Sequence, residues 1–436
     1  MPDCRPPLRS RRLPLSGSSG DLLAMLAGTL LIGLSGYFFL ALIGHGRFAA
    51  ATTAALSVTY LLGNVLGPGI FVAVEQETSR VVSDGLTRGA DARPMARRMA
   101  WINGGIGLIA LLVLAALTPL LLSRVLDDQV GLVLALAVAV AGSAAVYFIR
   151  GLTGGQRRFR RYAGTVLIDG ATRILGCVAL VLLGSTDPIA FGLALCAGPA
   201  VAAVATARRS GPPATGLSVV PPSTSRLTRD VGLLLIASAM AMVMANLAPV
   251  VVTALLHDDP VTAAGFAGAV VLTRVPLLFM GTIQALLLPG MTAAAATADR
   301  AGLRGTIGRG LALIATIGIL GVIGTAVLGR PLVSLLFGAD RDTTSSGLLM
   351  ALTASAALFM AMQLLQPAMV ALRRHRALVL AWVAGAIAFA ASFAVPIAPV
   401  DRGVLAQIAG PTVTLAVQLA VLSRYLRPLS VPISAS

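Results

Sequence analysis

Apolar stretches of about twenty residues recur along this chain, at roughly 22–44, 48–74, 100–122, 130–149, 163–183, 189–207, 231–256, 261–288, 307–328, 347–371, 377–398 and 403–423. A helix rises about 1.5 Å per residue and the hydrocarbon core of a bilayer is about 30 Å thick, so each stretch has the length of a spanning helix. Helices of water-soluble domains are shorter and keep a polar face, which these lack. One connection differs from the rest. Between about 208 and 229, Arg208, Arg209, Pro212, Pro213, Pro221 and Pro222 stand among serines and threonines, a composition that cannot bury a core and predicts an extended linker. The pattern predicts an all-α polytopic membrane protein with twelve transmembrane helices. Its parts are a tail (1–21), a six-helix half (22–207), the linker (208–229), a second six-helix half (230–423) and a closing tail (424–436). The first stretch follows Arg5, Arg9, Arg11 and Arg12 as a signal peptide would, but its apolar run is too long and no small-residue cleavage site follows, so it is read as a span.

Composition agrees with the pattern. Of the 436 residues 57% are hydrophobic and 11% charged, and the mean hydropathy is +0.90, which excludes a water-soluble core of this size. All 33 basic residues are arginine, and glutamate occurs only at Glu75 and Glu77, a bias expected of a GC-rich bacterial genome and hence of a bacterial inner membrane. Arginine is retained on the cytoplasmic side of spans. With both termini inside, 26 arginines fall on the cytoplasmic side and five outside, Arg173 and Arg274 being within spans. This asymmetry accounts for the +16 net charge without nucleic acid, and it favours contact with anionic inner-leaflet lipids. Cys4, Cys177 and Cys196 show no metal-ligand spacing, and His45, His257 and His375 have no acidic or cysteine partners at such spacing. No metal, cofactor or catalytic activity is expected.

The two halves resemble each other. Ala197-Gly198-Pro199 recurs as Ala409-Gly410-Pro411, Pro119 as Pro331, Pro68 and Gln76 as Pro276 and Gln284, and Arg157-Arg158 as Arg373-Arg374, at offsets of 208 to 216. Each pair falls on equivalent helices, which indicates duplication. Six helices per copy is an even number, so the copies share an orientation and relate through an axis along the membrane normal. Such halves enclose a central cavity and rock about it.

The chain resembles the multidrug, oligosaccharidyl-lipid and polysaccharide (MOP) exporter superfamily, and within it the bacterial polysaccharide and lipid II flippases, over nearly all of 21–426. The resemblance is carried by the paired prolines Pro68 and Pro276, by the segment Gly69 to Arg80, by Pro331 to Gly338, and by the arginine-rich segment Arg150 to Arg161. It implies a MATE-like fold with helices one, two, seven and eight lining the cavity, and alternating access. It also implies a lipid-linked saccharide pyrophosphate as substrate, with a polysaccharide polymerase or glycosyltransferases as partners. Two alternatives stand beside it. One is a multidrug-type cation antiporter of the same superfamily. The other is a major facilitator transporter, for which Asp299-Arg300-Ala301-Gly302-Leu303-Arg304 resembles a loop signature that the connection after helix two lacks.

Charges inside a membrane are costly and face the protein interior or water. Three qualify here: Asp169, Arg173 and Arg274. Asp169 and Arg173 are one helical turn apart and able to neutralise one another. Arg274 has no acid within a turn, so its alternatives are a substrate anion or an interhelical pair with Asp169. A guanidinium stays ionised and donates paired hydrogen bonds to phosphate, which makes Arg274 and Arg173, both near mid-depth, the candidate pyrophosphate ligands. Asn64 and Asn246 are candidate substrate contacts or interhelical hydrogen bonders. Glu75, Glu77 and Arg80, at the cytoplasmic end of helix two, are read as an exposed ion pair or a cytoplasmic gate. Pro68 and Pro276 are candidate hinges.

Overall fold

The computed structural model describes residues 19–45, 48–87, 91–208, 223–280, 291, 299–337, 344–372 and 374–426. The first half contains α1 (Ser19–Gly44), α2 (Ala50–Leu66), α3 (Pro68–Thr87), α4 (Arg93–Val125), α5 (Val130–Gly155), α6 (Phe159–Leu182), α7 (Pro188–Cys196) and α8 (Gly198–Ala207). The second contains α9 (Thr224–Leu255), α10 (Pro260–Leu272), a 3₁₀ turn (Val275–Phe279), α11 (Arg300–Phe337), α12 (Ser346–Ala371), α13 (His375–Ser392) and α14 (Pro399–Leu426). Ten segments among the described residues are long and apolar enough to cross a membrane, α7 and α8 form a further span bent by 42°, and Arg376–Ser392 is a shorter apolar helix. Together they fill each of the twelve stretches expected from the sequence.

Helix starts follow local chemistry. Asp187 caps α7 by accepting the Ile189 amide at 3.0 Å, and Asp259 caps α10 by accepting the Thr262 amide at 3.1 Å, with Pro188 and Pro260 in the first helical positions. Hydrogen bonds from Thr262, side chain and then backbone, hold the Asp259 carboxyl below the usual carboxylate range. Ser223 caps α9, so this helix begins at Thr224 and takes in six residues expected in the 208–229 linker. Residues 209–222 lie outside the described residues.

Several spans are longer or more broken than hydropathy indicates. The second is two helices meeting at Gly67, and α3 continues to Thr87, so Glu75, Glu77 and Arg80 stand within a helix instead of at its end. Pro119 and Pro331 lie inside α4 and α11 instead of terminating them. Helix eight was expected to run continuously over 261–288, but α10 stops at Leu272 and a 3₁₀ turn holds Pro276, as the missing proline amide allows. Gln284 lies outside the described residues.

Within the first half α1 packs on α6 and α3 on α5; within the second α13 packs on α14 and α11 on α12. The halves meet where α2 and α3 lie against α9 and α10. At the arginine-poor end Phe39, Ile43 and Leu56 of the first half bury against Val252, Phe266 and Val271 of the second. Towards the arginine-rich end Phe71, Val74 and Val81 bury against Leu227 and Val231. Backbones approach closely at this seam. A Cβ on Gly69 would lie 2.9 Å from the Cβ of Met242, and the Ser238 hydroxyl donates across the seam to the Gly69 carbonyl at 2.9 Å. Leu112, Leu120, Leu182, Leu183, Leu320 and Val327 remain exposed, forming the outward apolar belt a bilayer requires.

Candidate functional site

In the first half the buried charges form one cluster. Arg173 donates from Nε to Asp169 Oδ1 at 2.8 Å within α6, and Arg150 donates from α5 to Asp169 Oδ2 at 3.0 Å. The Asp169 side chain is 2% exposed. Arg150 also donates from Nε to Thr165 Oγ1 at 3.1 Å, and its guanidinium lies 4.9 Å from the ring centroid of Tyr147. The bend between α7 and α8 brings Gly198 over this carboxylate, where a Cβ would lie 2.5 Å from Asp169 Oδ1. The expected neutralisation of Arg173 by Asp169 is therefore present, but one carboxylate serves two arginines. The alternative pair of Asp169 with Arg274 is absent. Arg150, grouped in the sequence with a surface arginine run, is buried because α5 continues to Gly155. The signal available was the unbroken apolar approach Ala144 to Ile149, after which Gly151 and Leu152 continue the small and apolar pattern.

Beside the cluster lies a cavity of about 20 Å³, lined by Tyr60, Asn64, Pro68, Ser143, Tyr147 and Arg173 among others. Its volume admits about one water-sized species in this conformation. Asn64 does not bridge helices. Its Nδ2 donates to the Tyr60 carbonyl of its own helix at 3.0 Å, leaving the side chain on the cavity wall.

The second half is built differently. Arg274 follows the end of α10 and precedes the 3₁₀ turn holding Pro276. Its Nη1 donates to Asn246 Oδ1 on α9 at 3.3 Å, while Asn246 Nδ2 donates to the Met242 carbonyl at 3.1 Å. Asn246 thus makes the interhelical bond expected of it. Arg274 Nη2 is buried without a protein partner. Arg274 lies within electrostatic reach of Tyr37 on α1 and Tyr60 on α2, and Tyr60 is in turn within reach of Arg173. The arginines of the two halves are therefore both within reach of one tyrosine. Each stands fourteen residues into its helical segment, Arg173 from Phe159 and Arg274 from Pro260. At 1.5 Å per residue that is about 21 Å from opposite ends.

At the arginine-rich end of the seam, Arg80 donates from Nε to Glu77 Oε2 at 2.7 Å and its Nη2 lies 3.6 Å from Asp230 Oδ2 of α9. Glu77 is buried and Arg80 is 52% exposed, so this pair within α3 is not a surface pair, and the contact with Asp230 carries it to a second helix. Asp230, read from the sequence as a border residue, completes a link between the halves. Glu75 does not take part; it accepts from the Tyr162 hydroxyl at 2.8 Å, inside the first half.

Comparison with known proteins places this arrangement in a fold. No protein family model matches the chain. An uncharacterised protein of Mycobacterium tuberculosis is 28% identical over 372 residues, covering 80% of this chain and 79% of its own length. Another, from Mycobacterium bovis, is 26% identical over 324 residues, 74% of each chain. Among solved structures, a multidrug resistance MATE family transporter of the MOP superfamily in its inward-facing conformation superposes with a TM-score of 0.65 at 13% identity, over 93% of this chain and 98% of its own. The lipid II flippase MurJ in an inward closed conformation gives 0.64 at 14% identity, over 92% and 87%. A MOP superfamily transporter from Pyrococcus furiosus, described by a reversed polarity of its binding pocket, gives 0.60 at 14%, over 94% and 96%. The chain has the fold of these transporters: all-α, polytopic and MATE-like.

Proposed function

We propose that this chain is a flippase that moves a lipid-linked anionic saccharide of the polyprenyl pyrophosphate type across a bacterial inner membrane by alternating access. The observation that carries the reading is Arg274: a guanidinium that lies, like Arg173, within electrostatic reach of Tyr60 and, among the described residues, has a buried donor without a partner. A pyrophosphate carries the charge and acceptor oxygens that such a site lacks. Arg173 is held by Asp169 and approaches the same tyrosine from the first half with its remaining donors. Asn64 lines the cavity beside Arg173, and Asn246 accepts from Arg274. The MurJ structure of the same fold belongs to a lipid II flippase, which supports a lipid-linked substrate for this one.

The cation antiporter alternative requires a buried carboxylate free to release a cation. Asp169 is engaged by two arginines, Glu77 is paired with Arg80, Glu75 accepts from the Tyr162 hydroxyl, and the second half has no acidic residue in its spans away from their ends. In our reading the arginine-rich face is cytoplasmic, and so are both termini. Arg80, Glu77 and Asp230 form a gate on that face, Pro68 and Pro276 are the hinges about which helices two and eight reshape, and the enzymes that build and polymerise the saccharide are the functional partners.

The test is deletion of the gene followed by extraction of lipid-linked saccharides, with complementation by Arg274 variants. Deletion should accumulate the lipid-linked precursor, and the wild-type protein should clear it. Arg274→Ala should lose about ten- to a hundredfold in flipping at normal abundance, the worth of a charged hydrogen bond of roughly 1.5–3 kcal/mol. Arg274→Lys should recover part of it, since it keeps the charge and loses the planar fork. Full activity of Arg274→Ala, or export of cationic dyes with unchanged surface polysaccharide on deletion, would overturn the reading.

A further inference from the structure

A second small cavity lies wholly within the second half, and the groups around it ask for an acceptor that the protein does not provide. Its volume is about 10 Å³, and its walls include Thr273, Arg274, Leu277, Ser355, Phe359 and Gln407. The Thr273 hydroxyl donates to the Val270 carbonyl at 3.0 Å and the Ser355 hydroxyl to the Leu352 carbonyl at 2.9 Å, so both protons are spent on their own helices. Two donors remain. Arg274 and Gln407 line the same cavity, and among the described residues neither Arg274 Nη2 nor Gln407 Nε2 has a hydrogen-bond partner. Gln407 is only 4% exposed, on α14. Unmade hydrogen bonds at buried donors are costly, and more so at a charged one.

We propose that this cavity is a binding site for a monovalent, halide-sized anion, held between Arg274 Nη2 and Gln407 Nε2. Three features set the ligand class. Both free groups are donors, which calls for an acceptor. Among the described residues no carboxylate pairs with Arg274: the acids nearest the second-half spans are Asp230 and Asp401 at helix starts and those of the connections. The space admits about one water-sized species, which excludes carboxylates and phosphates. A water could accept both bonds but would leave the charge unneutralised, whereas a chloride ion does both. The anion keeps Arg274 compensated when no substrate phosphate is near. The inference does not depend on which molecule is transported.

The full-length protein, purified in lipid nanodiscs, should show an unfolding midpoint that rises by a few degrees with the logarithm of chloride or bromide concentration at constant ionic strength, with gluconate as the replacing anion giving no rise. Gln407→Leu should flatten that response. Gln407→Glu places a carboxylate where the halide sits, and should unfold in gluconate at a midpoint at least as high as that of the wild type in chloride, with no halide response. Bromide should give an anomalous scattering peak between the two nitrogens. Equal wild-type midpoints in chloride and gluconate, a wild-type halide response retained by both variants, or an ordered water at the site with no bromide signal would overturn the proposal. Lipid-linked saccharide flipping in chloride-free proteoliposomes is read separately, so loss of the halide effect with flipping intact refutes this site alone.

Discussion

The two halves of this molecule use charge in opposite ways. In the first half Arg150 and Arg173 converge on Asp169, and the three form a packed, hydrogen-bonded unit. In the second half Arg274 has an amide oxygen for a neighbour and a free buried donor. The duplicated Ala-Gly-Pro motif diverges in the same way. Around Gly198 the span breaks and bends by 42°, and the glycine sits against the Asp169 carboxylate. Around Gly410 α14 runs unbroken from Pro399 to Leu426, with Met244 Sδ and Phe389 Cβ the nearest side-chain atoms to a Cβ placed there. One half has settled its charge internally, and the other keeps it available.

The sharpest way to break this contrast is to remove one charge from each half. Asp169→Asn leaves two buried guanidinium groups without a counter-charge and should cost about 3–5 kcal/mol, seen as a large fall in unfolding midpoint and in membrane abundance. Arg274→Ala removes a charge that no carboxylate balances, and should leave stability within about 1 kcal/mol of wild type, the usual scale of a single substitution. Equal destabilisation by the two would show that Arg274 is structural after all.

A smaller effect separates the two glycines. Gly198→Ala pushes a methyl group onto Asp169 and should cost about 1–3 kcal/mol, the range of overpacked sites. Gly410→Ala meets the thioether of Met244, a flexible neighbour at 3.0 Å, and should cost less. Thermal unfolding of both variants measures the difference, and the reverse order would remove the link between the bend and the ion cluster.

The smallest effect concerns the link between the halves. Arg80 is half-exposed, so its attraction to Asp230 is screened, and Asp230→Asn should shift the seam by about 0.2–1 kcal/mol, up to roughly fivefold in the population of open molecules. Spin labels on α3 and α9 near the arginine-rich end would register the shift as a longer distance component. An unchanged distribution would remove Asp230 from the gate.

The positions of the twelve spans and the arginine asymmetry were legible in the chain because they depend on local composition and on the thickness of a bilayer. Residues that need special comment in a membrane were legible for the same reason: Asp169, Arg173 and Arg274 stand out against apolar neighbours. What they bond to did not follow. Arg150 looked like the start of a basic loop, and only the extra turn of α5 and its packing beside α6 carried it to Asp169. Asp230 looked like a linker-border acid, and only the approach of α9 to α3 made it a partner of Arg80. Glu75 and Glu77 are two residues apart in sequence, yet the helix points one towards Tyr162 and the other towards Arg80. Gln407 gave only a weak signal, since an isolated glutamine in an apolar run becomes informative only when it is found lining a cavity with an arginine that has a free donor. Span length and orientation are set by each segment's own exchange between water and hydrocarbon. The pairing of charges is set by the rotation and tilt of helices that are far apart in sequence, and that is decided only when the side chains pack.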